Sequence, residues 1–216
     1  ALSVMPAVET AAIVLNAQSG VEEVARRMME AARAQRLCRM IIINKIDAEN
    51  VDLAGIVDEI REVFGSECLP INLPTADGSG VADCFFQPDG AETAFDSVDA
   101  AHERIVDQVV EVDEELMEIY LEKGDDLQPE QLHEPFEKAL REGHLVPICF
   151  VSAMTGAGIP ELLEVFERLM PNPLEGNPPV FYKGEGESAR EVTVNPDPDE
   201  HVIGHVVMVS IDPFKG

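Results

Sequence analysis

Two short polar stretches carry residue types suited to reading a purine base. Asn44-Lys45-Ile46-Asp47 follows the apolar run Met40-Ile41-Ile42-Ile43, and Ser152-Ala153 follows the apolar run Leu145 to Val151. A carboxylate at Asp47 can accept from the N1 and N2 hydrogens of guanine, and adenine offers no such donor pair. Charge-assisted hydrogen bonds of this kind contribute about 1.5–3 kcal/mol each. A site built to pair with a donor rejects an analogue lacking it by factors on the order of 10⁴. Asn44 can tie its loop to a neighbour, and the aliphatic stem of Lys45 can lie over the purine face. The backbone N–H of Ala153 can donate to the guanine O6, Ser152 can steady Asp47, and a small residue is needed where the base packs. Each stretch alone is equally a polar turn after a buried strand. Together, at the ends of two buried runs, they point to one base.

The elements that must position these loops alternate. Ala11 to Ala17 predicts a strand, and Val21, Val24, Ala25, Met28, Met29 and Ala32 predict one face of a helix. Met40 to Ile43 predicts a second strand. A helix follows with Leu53, Ile56, Ile60 and Phe64 on its face and Gly65 as its stop. Leu145 to Val151 predicts a third strand. Pro160 to Met170 predicts a helix facing inward through Leu162, Leu163, Phe166 and Leu169. Continuous apolar strands are buried on both sides, as in parallel sheets, so the fold class is α/β. Ligands of such sheets bind beyond the carboxyl ends of the strands, where both polar stretches stand.

The middle of the chain has another texture. Ala76 to Gly80 predicts a hairpin turn between Cys68–Pro74 and Val81–Phe86. A long acidic helix is predicted from Ser97 to Leu121, and a short one from Glu134 to Arg141. The boundaries read from this are 1–65 and 144–172 for the α/β domain, 66–143 for a small α+β insertion, 173–200 for a proline-rich linker, and 201–216 for a stub of a following β domain, with one strand over His201–Ile211.

Composition narrows the classes further. The chain has 15 Lys+Arg against 42 Asp+Glu, a net charge of −27. Each phosphate contact needs a cation, so direct nucleic-acid binding is disfavoured, and the charge serves a basic protein partner or simply solubility, which accounts for most of the acids. The four cysteines, Cys38, Cys68, Cys84 and Cys149, form no metal-ligand spacing and read as thiols in a reducing compartment. No stretch has the ~20 apolar residues of a membrane span.

These loops resemble those of the translational GTPase family, the elongation factor G type most closely. Other similar stretches are Ala12-Ile13-Val14-Leu15 through Ser19-Gly20-Val21-Glu22, Glu114 to Leu121, Val146-Pro147, Leu169-Met170-Pro171-Asn172-Pro173 and Asp212-Pro213-Phe214. Asp47 and Ser152 stand 105 positions apart, which fits the subdomain that elongation factor G carries inserted there. The resemblance implies a P-loop-NTPase-type parallel sheet, of which three adjacent strands are expected here. It assigns guanine reading to Asn44, Lys45, Asp47, Ser152 and Ala153. It implies GTP and GDP with Mg²⁺ as ligands of the parent protein, GTP hydrolysis, the ribosome as partner and the bacterial cytoplasm as location. The acidic helix reads from its residues as an ordinary solvated face; the resemblance implies instead that, through Asp107, Glu111 and Glu114, it meets the basic ribosomal stalk protein.

The chain departs from the family in having Ala48 where an Arg is usual and Leu73-Pro74-Thr75-Ala76 in place of Pro-Ile-Gly. No Gly-x-x-x-x-Gly-Lys-Ser/Thr occurs, so no phosphate cradle is expected. Asp52-Leu53-Ala54-Gly55 fits the Asp-x-x-Gly of a metal-side loop but opens a helix, and is set aside. The expectation is a piece of a domain with no catalytic residue and no metal site, inactive by itself. Its strand at 11–17 would be a cut edge inviting self-association. The alternative is an acidic interaction module with no competent nucleotide site.

Overall fold

The computed structural model describes residues 2–88, 90–123, 129–177 and 180–192, and the single positions 199, 204, 206, 207, 209 and 211. The side chains of 114, 115, 121–123, 129–131 and 187 lie outside that description. After a 3₁₀ turn over Leu2–Ala7 come β1 (Thr10–Asn16), α1 (Glu23–Ala34), β2 (Cys38–Asn44) and α2 (Leu53–Phe64). The middle region supplies β3 (Cys68–Pro70), β4 (Asn72–Pro74), β5 (Val81–Asp83), α3 (Val98–Val110), α4 (Glu114–Lys123) and α5 (Pro129–Glu142). β6 (Val146–Val151), α6 (Ile159–Arg168) and a hairpin of β7 (Phe181–Lys183) and β8 (Arg190–Val192) follow.

The main sheet is parallel, in the order β1-β2-β6-β3. The three expected strands are adjacent, and a fourth joins them. The sequence reading placed Cys68–Pro74 in one arm of a hairpin, but the chain divides that arm. Cys68 to Pro70 pairs with β6, and Asn72 to Pro74 pairs antiparallel with β5. The switch comes at Ile71, whose N–H still donates to Ile148 O at 3.0 Å.

Strand side chains alternate between faces, and two cores result. Ile41 and Ile43 of β2 and Ile148 and Phe150 of β6 pack with α1 and α2 residues such as Met29, Ile56 and Ile60. Met40, Ile42, Cys149 and Val151 pack on the other face with Ile105, Phe136 and Leu162. The segment read as an insertion therefore shares its core with the sheet through α3 and α5. Burying side chains of this size stabilises by roughly 1.5–3 kcal/mol each.

Several expected details differ. The helix read as continuous from Ser97 to Leu121 breaks at Glu111–Asp113, because Asp113 Oδ1 accepts from the Leu116 N–H at 2.9 Å and starts a new helix. α5 begins earlier than the expected Glu134. Val24, Leu163 and Phe166 are exposed, and Val165 is buried instead. The β7–β8 hairpin lies within the stretch expected to be a linker. Most of the strand expected over 201–211 lies outside the described residues. β1 is an edge strand with Val14 61% exposed.

Candidate functional site

The register of the sheet sets the site. Asn44 ends β2 opposite Asn16 of β1 and Val151 of β6. The loops that follow Asn44 and Val151 therefore leave neighbouring strands at one level, at the carboxyl end of the sheet. Their tips are joined directly. Asn44 Oδ1 accepts from the Ala153 N–H at 3.0 Å and from the Lys45 N–H at 2.8 Å. Ile46 is 5% exposed and donates its N–H to Val151 O at 3.3 Å, which anchors the first loop against the second strand. Lys45, with φ +68°, and Asp47 are both exposed on either side of that anchor.

The second loop is braced internally. Ser152 is fully buried, its N–H donates to Ala157 O at 2.8 Å, and its carbonyl accepts from the Gly156 N–H at 2.8 Å. Gly158 closes the loop at φ +72°, where a Cβ would stand 2.3 Å from Phe150 O, so only glycine fits.

Of the expected base-reading residues, the structure brings Asn44, Lys45, Asp47, Ser152 and Ala153 into these two adjoining loops. Two details differ from expectation. The Ala153 amide already donates to Asn44 rather than standing open. The contact of Ser152 Oγ is the Thr155 N–H at 3.1 Å rather than Asp47, because the hydroxyl caps its own tight turn. Asp107 lies on the exposed face of α3, Glu111 is exposed at the C-terminal cap of that helix, and Tyr120 donates its hydroxyl to Asp107 at 2.8 Å. The side chain of Glu114 lies outside the described residues.

Sequence reasoning missed Asn72. It is 3% exposed, donates from Nδ2 to Phe150 O at 3.2 Å and accepts at Oδ1 from the Phe150 N–H at 2.7 Å. Its carboxamide thus stands in for a ladder strand beside β6, two residues before Ser152. The only signal was one amide inside the apolar run Leu69 to Leu73.

Asp52 caps α2, accepting from the Gly55 N–H at 2.9 Å, which agrees with setting its motif aside. An open cleft of about 700 Å³ beside it is lined by Gln18, Gly20, Glu49, Asn50, Asp52 and Glu59. Its three carboxylates make it a poor seat for phosphate. The four cysteines are buried, and no disulfide joins them among the described residues. Burial pushes the Cys38 thiol up to about 11 and Cys68 to about 12, and also raises Cys149. Among the described residues, no three His, Cys, Asp or Glu side chains gather as a metal site, and no helix is long and apolar enough to cross a membrane.

Comparison with known proteins agrees with this geometry. The model of the elongation factor Tu GTP binding domain matches residues 2–172. Elongation factor G of Fervidobacterium nodosum is 29% identical over 224 residues, covering 95% of this chain and 32% of that protein. An elongation factor G-like protein of Mycobacterium tuberculosis is 28% identical over 222 residues, covering 97% of this chain and 31% of its own length. One from Thermotoga maritima is 27% identical over 214 residues, covering 94% and 31%. A crystal structure of a Thermus thermophilus protein superposes with a TM-score of 0.69 at 28% identity, over 81% of this chain and 28% of that one. The chain thus spans about a third of the length of the curated relatives it matches. With the family model covering most of its residues and the parallel sheet in place, this chain belongs to the elongation factor Tu GTP binding domain family and resembles elongation factor G.

Proposed function

We propose that the protein to which this chain belongs binds guanine nucleotide through Asn44, Lys45, Asp47, Ser152 and Ala153, and hydrolyses GTP to GDP and phosphate on the ribosome. The observation that carries the reading is the 3.0 Å bond between Asn44 Oδ1 and the Ala153 N–H, which joins two loops 109 positions apart. Asp47 accepts from N1–H and N2–H of the base, and the stem of Lys45 covers its face. The Ala153 amide also lies where it can donate to guanine O6, while Asn44 Oδ1 ties its loop to the first. Phosphate and Mg²⁺ are held by residues other than these, since the sequence contains no Gly-x-x-x-x-Gly-Lys-Ser/Thr. By itself the chain binds guanine nucleotide weakly and does not turn over GTP. The bacterial cytoplasm is its place of action, in keeping with the translation factors it resembles.

A second reading concerns α3. Asp99, Glu103, Asp107 and Glu111 are exposed and recur every fourth residue, opposite the buried Ile105 and Val109. One such stripe favours a basic protein partner, the ribosomal stalk protein by resemblance. The edge of β1, which pairs with no other strand among the described residues, is a second contact surface, for a neighbouring segment of the longer protein or for another copy of this chain.

The test is Asp47→Asn in the longer protein, with fluorescent guanine and xanthine nucleotides. Asparagine keeps one acceptor and turns a donor toward the 2-oxo group of xanthine. Guanine affinity should fall roughly ten- to hundredfold and xanthine affinity should rise. Unchanged affinity for both bases would refute the assignment.

A further inference from the structure

At the opposite end of β2 lies a pocket of another character. A cavity of about 480 Å³ is lined by Arg33, Arg36, Arg39 and Arg141, with Gly143 and Asn177. It is within the range of small-molecule sites, roughly 300–1,000 Å³. Arg39 is the second residue of β2 and Asn44 the last, so the pocket stands about 16 Å of strand away from the base loops.

Three features make this cluster unusual. First, it concentrates guanidinium groups in a chain with 42 Asp+Glu and 15 Lys+Arg, where a chance neighbour of an arginine is an acid. The ion pairs among the described residues use Arg26, Arg104, Arg168, His133 and His144 instead. Glu142 also borders the pocket, but its carboxylate turns to His144 at 3.6 Å. Second, Arg39 is only 5% exposed. Its hydrogen bond is one donation to Gly143 O at 3.3 Å, against five donors on the group. A buried charge without a close ion-pair partner is costly. Burial holds its pKa below the ordinary arginine value; Glu67 offsets this in part, and Arg33 adds to it. Third, the pocket wall is closely packed and tied together. A Cβ on Gly143 would stand 2.8 Å from Arg39 Nη2, and Asn177 Nδ2 ties Arg36 O at 2.8 Å to Arg141 O at 2.9 Å.

Basic residues in the last turn of a helix complement its dipole, which accounts for Arg33 and Arg141 singly. It does not account for Arg36, beyond the end of α1 at φ +58°, or for Arg39 in a strand.

We propose that this pocket binds a compact polyanion of the pyrophosphate class, its oxygens bridging Arg39 and the exposed Arg33 and Arg36. Planar guanidinium groups match phosphate oxygens in paired fashion. The surrounding charge of −27 opposes an extended nucleic acid and leaves a short ligand that reaches only the pocket.

The probe is inorganic pyrophosphate, titrated calorimetrically into the full chain. One saturable site is expected, weakened roughly tenfold or more by Arg36→Ala and by Arg33→Ala. Arg27→Ala, on the outer face of the same helix, should leave it unchanged. Circular dichroism checks that each variant is folded. Non-saturable heats, or equal losses from Arg27→Ala and Arg36→Ala, overturn the proposal. Tighter binding of a short single-stranded RNA that Arg36→Ala abolishes would also overturn it, assigning the pocket to a phosphodiester backbone.

Discussion

Replacing Asn72 by leucine keeps the approximate volume of the side chain but removes both of its hydrogen bonds to Phe150. The Phe150 N–H, now bonded to Oδ1 at 2.7 Å, and its carbonyl, bonded to Nδ2 at 3.2 Å, would face an apolar neighbour. Phe150 is fully buried, so water cannot take over. An unsatisfied buried polar group costs about 1–3 kcal/mol, and two of them cost roughly 2–6 kcal/mol. That is a large share of the roughly 5–15 kcal/mol by which a domain is stable. Urea denaturation followed by far-ultraviolet circular dichroism reads the loss as a lower midpoint. Asn72→Asp gives an internal check. It keeps an acceptor for the Phe150 N–H but sets a carboxylate oxygen against the Phe150 carbonyl, so it too is destabilised near neutral pH. If Asn72→Leu unfolds within about 0.5 kcal/mol of the parent chain, in the range of an ordinary surface change, the account of Asn72 as a stand-in strand is wrong.

Two further outcomes are expected. Asn44→Ala removes the bond that joins the two loops, so exchange of the Ala153 amide hydrogen should quicken roughly tenfold, while Asn44→Asp, which keeps the acceptor, should preserve protection. Equal exchange in all three proteins by NMR would count against the bridge. The second concerns alkali. The ordinary thiol value is 9.0, while Cys38 and Cys68 are pushed up to about 11 and 12 by burial. Above pH 9 the unfolded chain sheds protons that the folded chain keeps, so stability present below that pH is lost as pH rises toward 11. The slope is at most about 1.4 kcal/mol per pH unit for each thiol. Urea midpoints that stay flat across that window, or that fall equally in Cys38→Ala, would contradict this account of the buried thiols.

The sequence alone determined the alternation of strand and helix and the polar stretch at the end of each of two buried runs. Those features are local: an unbroken run such as Met40 to Ile43 has only one economical environment, a strand covered on both sides. Local pattern also identified Asp52 as a helix opener. The fourth strand was not legible. Cys68 to Pro74 is a single apolar run, and nothing within it says that three residues pair with β6 and the next three turn to β5. Nor was the break at Asp113, where a capping side chain competed with a helical pattern that continued on either side.

Only the tertiary structure decided that Asn44 and Ala153 meet. Their contact depends on the register of β2 against β6, set by packing of Ile41, Ile43, Ile148 and Phe150 between helices distant in the chain. The same is true of Arg33, Arg36, Arg39 and Arg141. On the sequence they are scattered cations in an acidic chain, and only the folding of α1, β2 and α5 onto one sheet end brings them around one pocket. Short-range pattern encodes which elements form. Which side chains face one another is a property of how those elements pack.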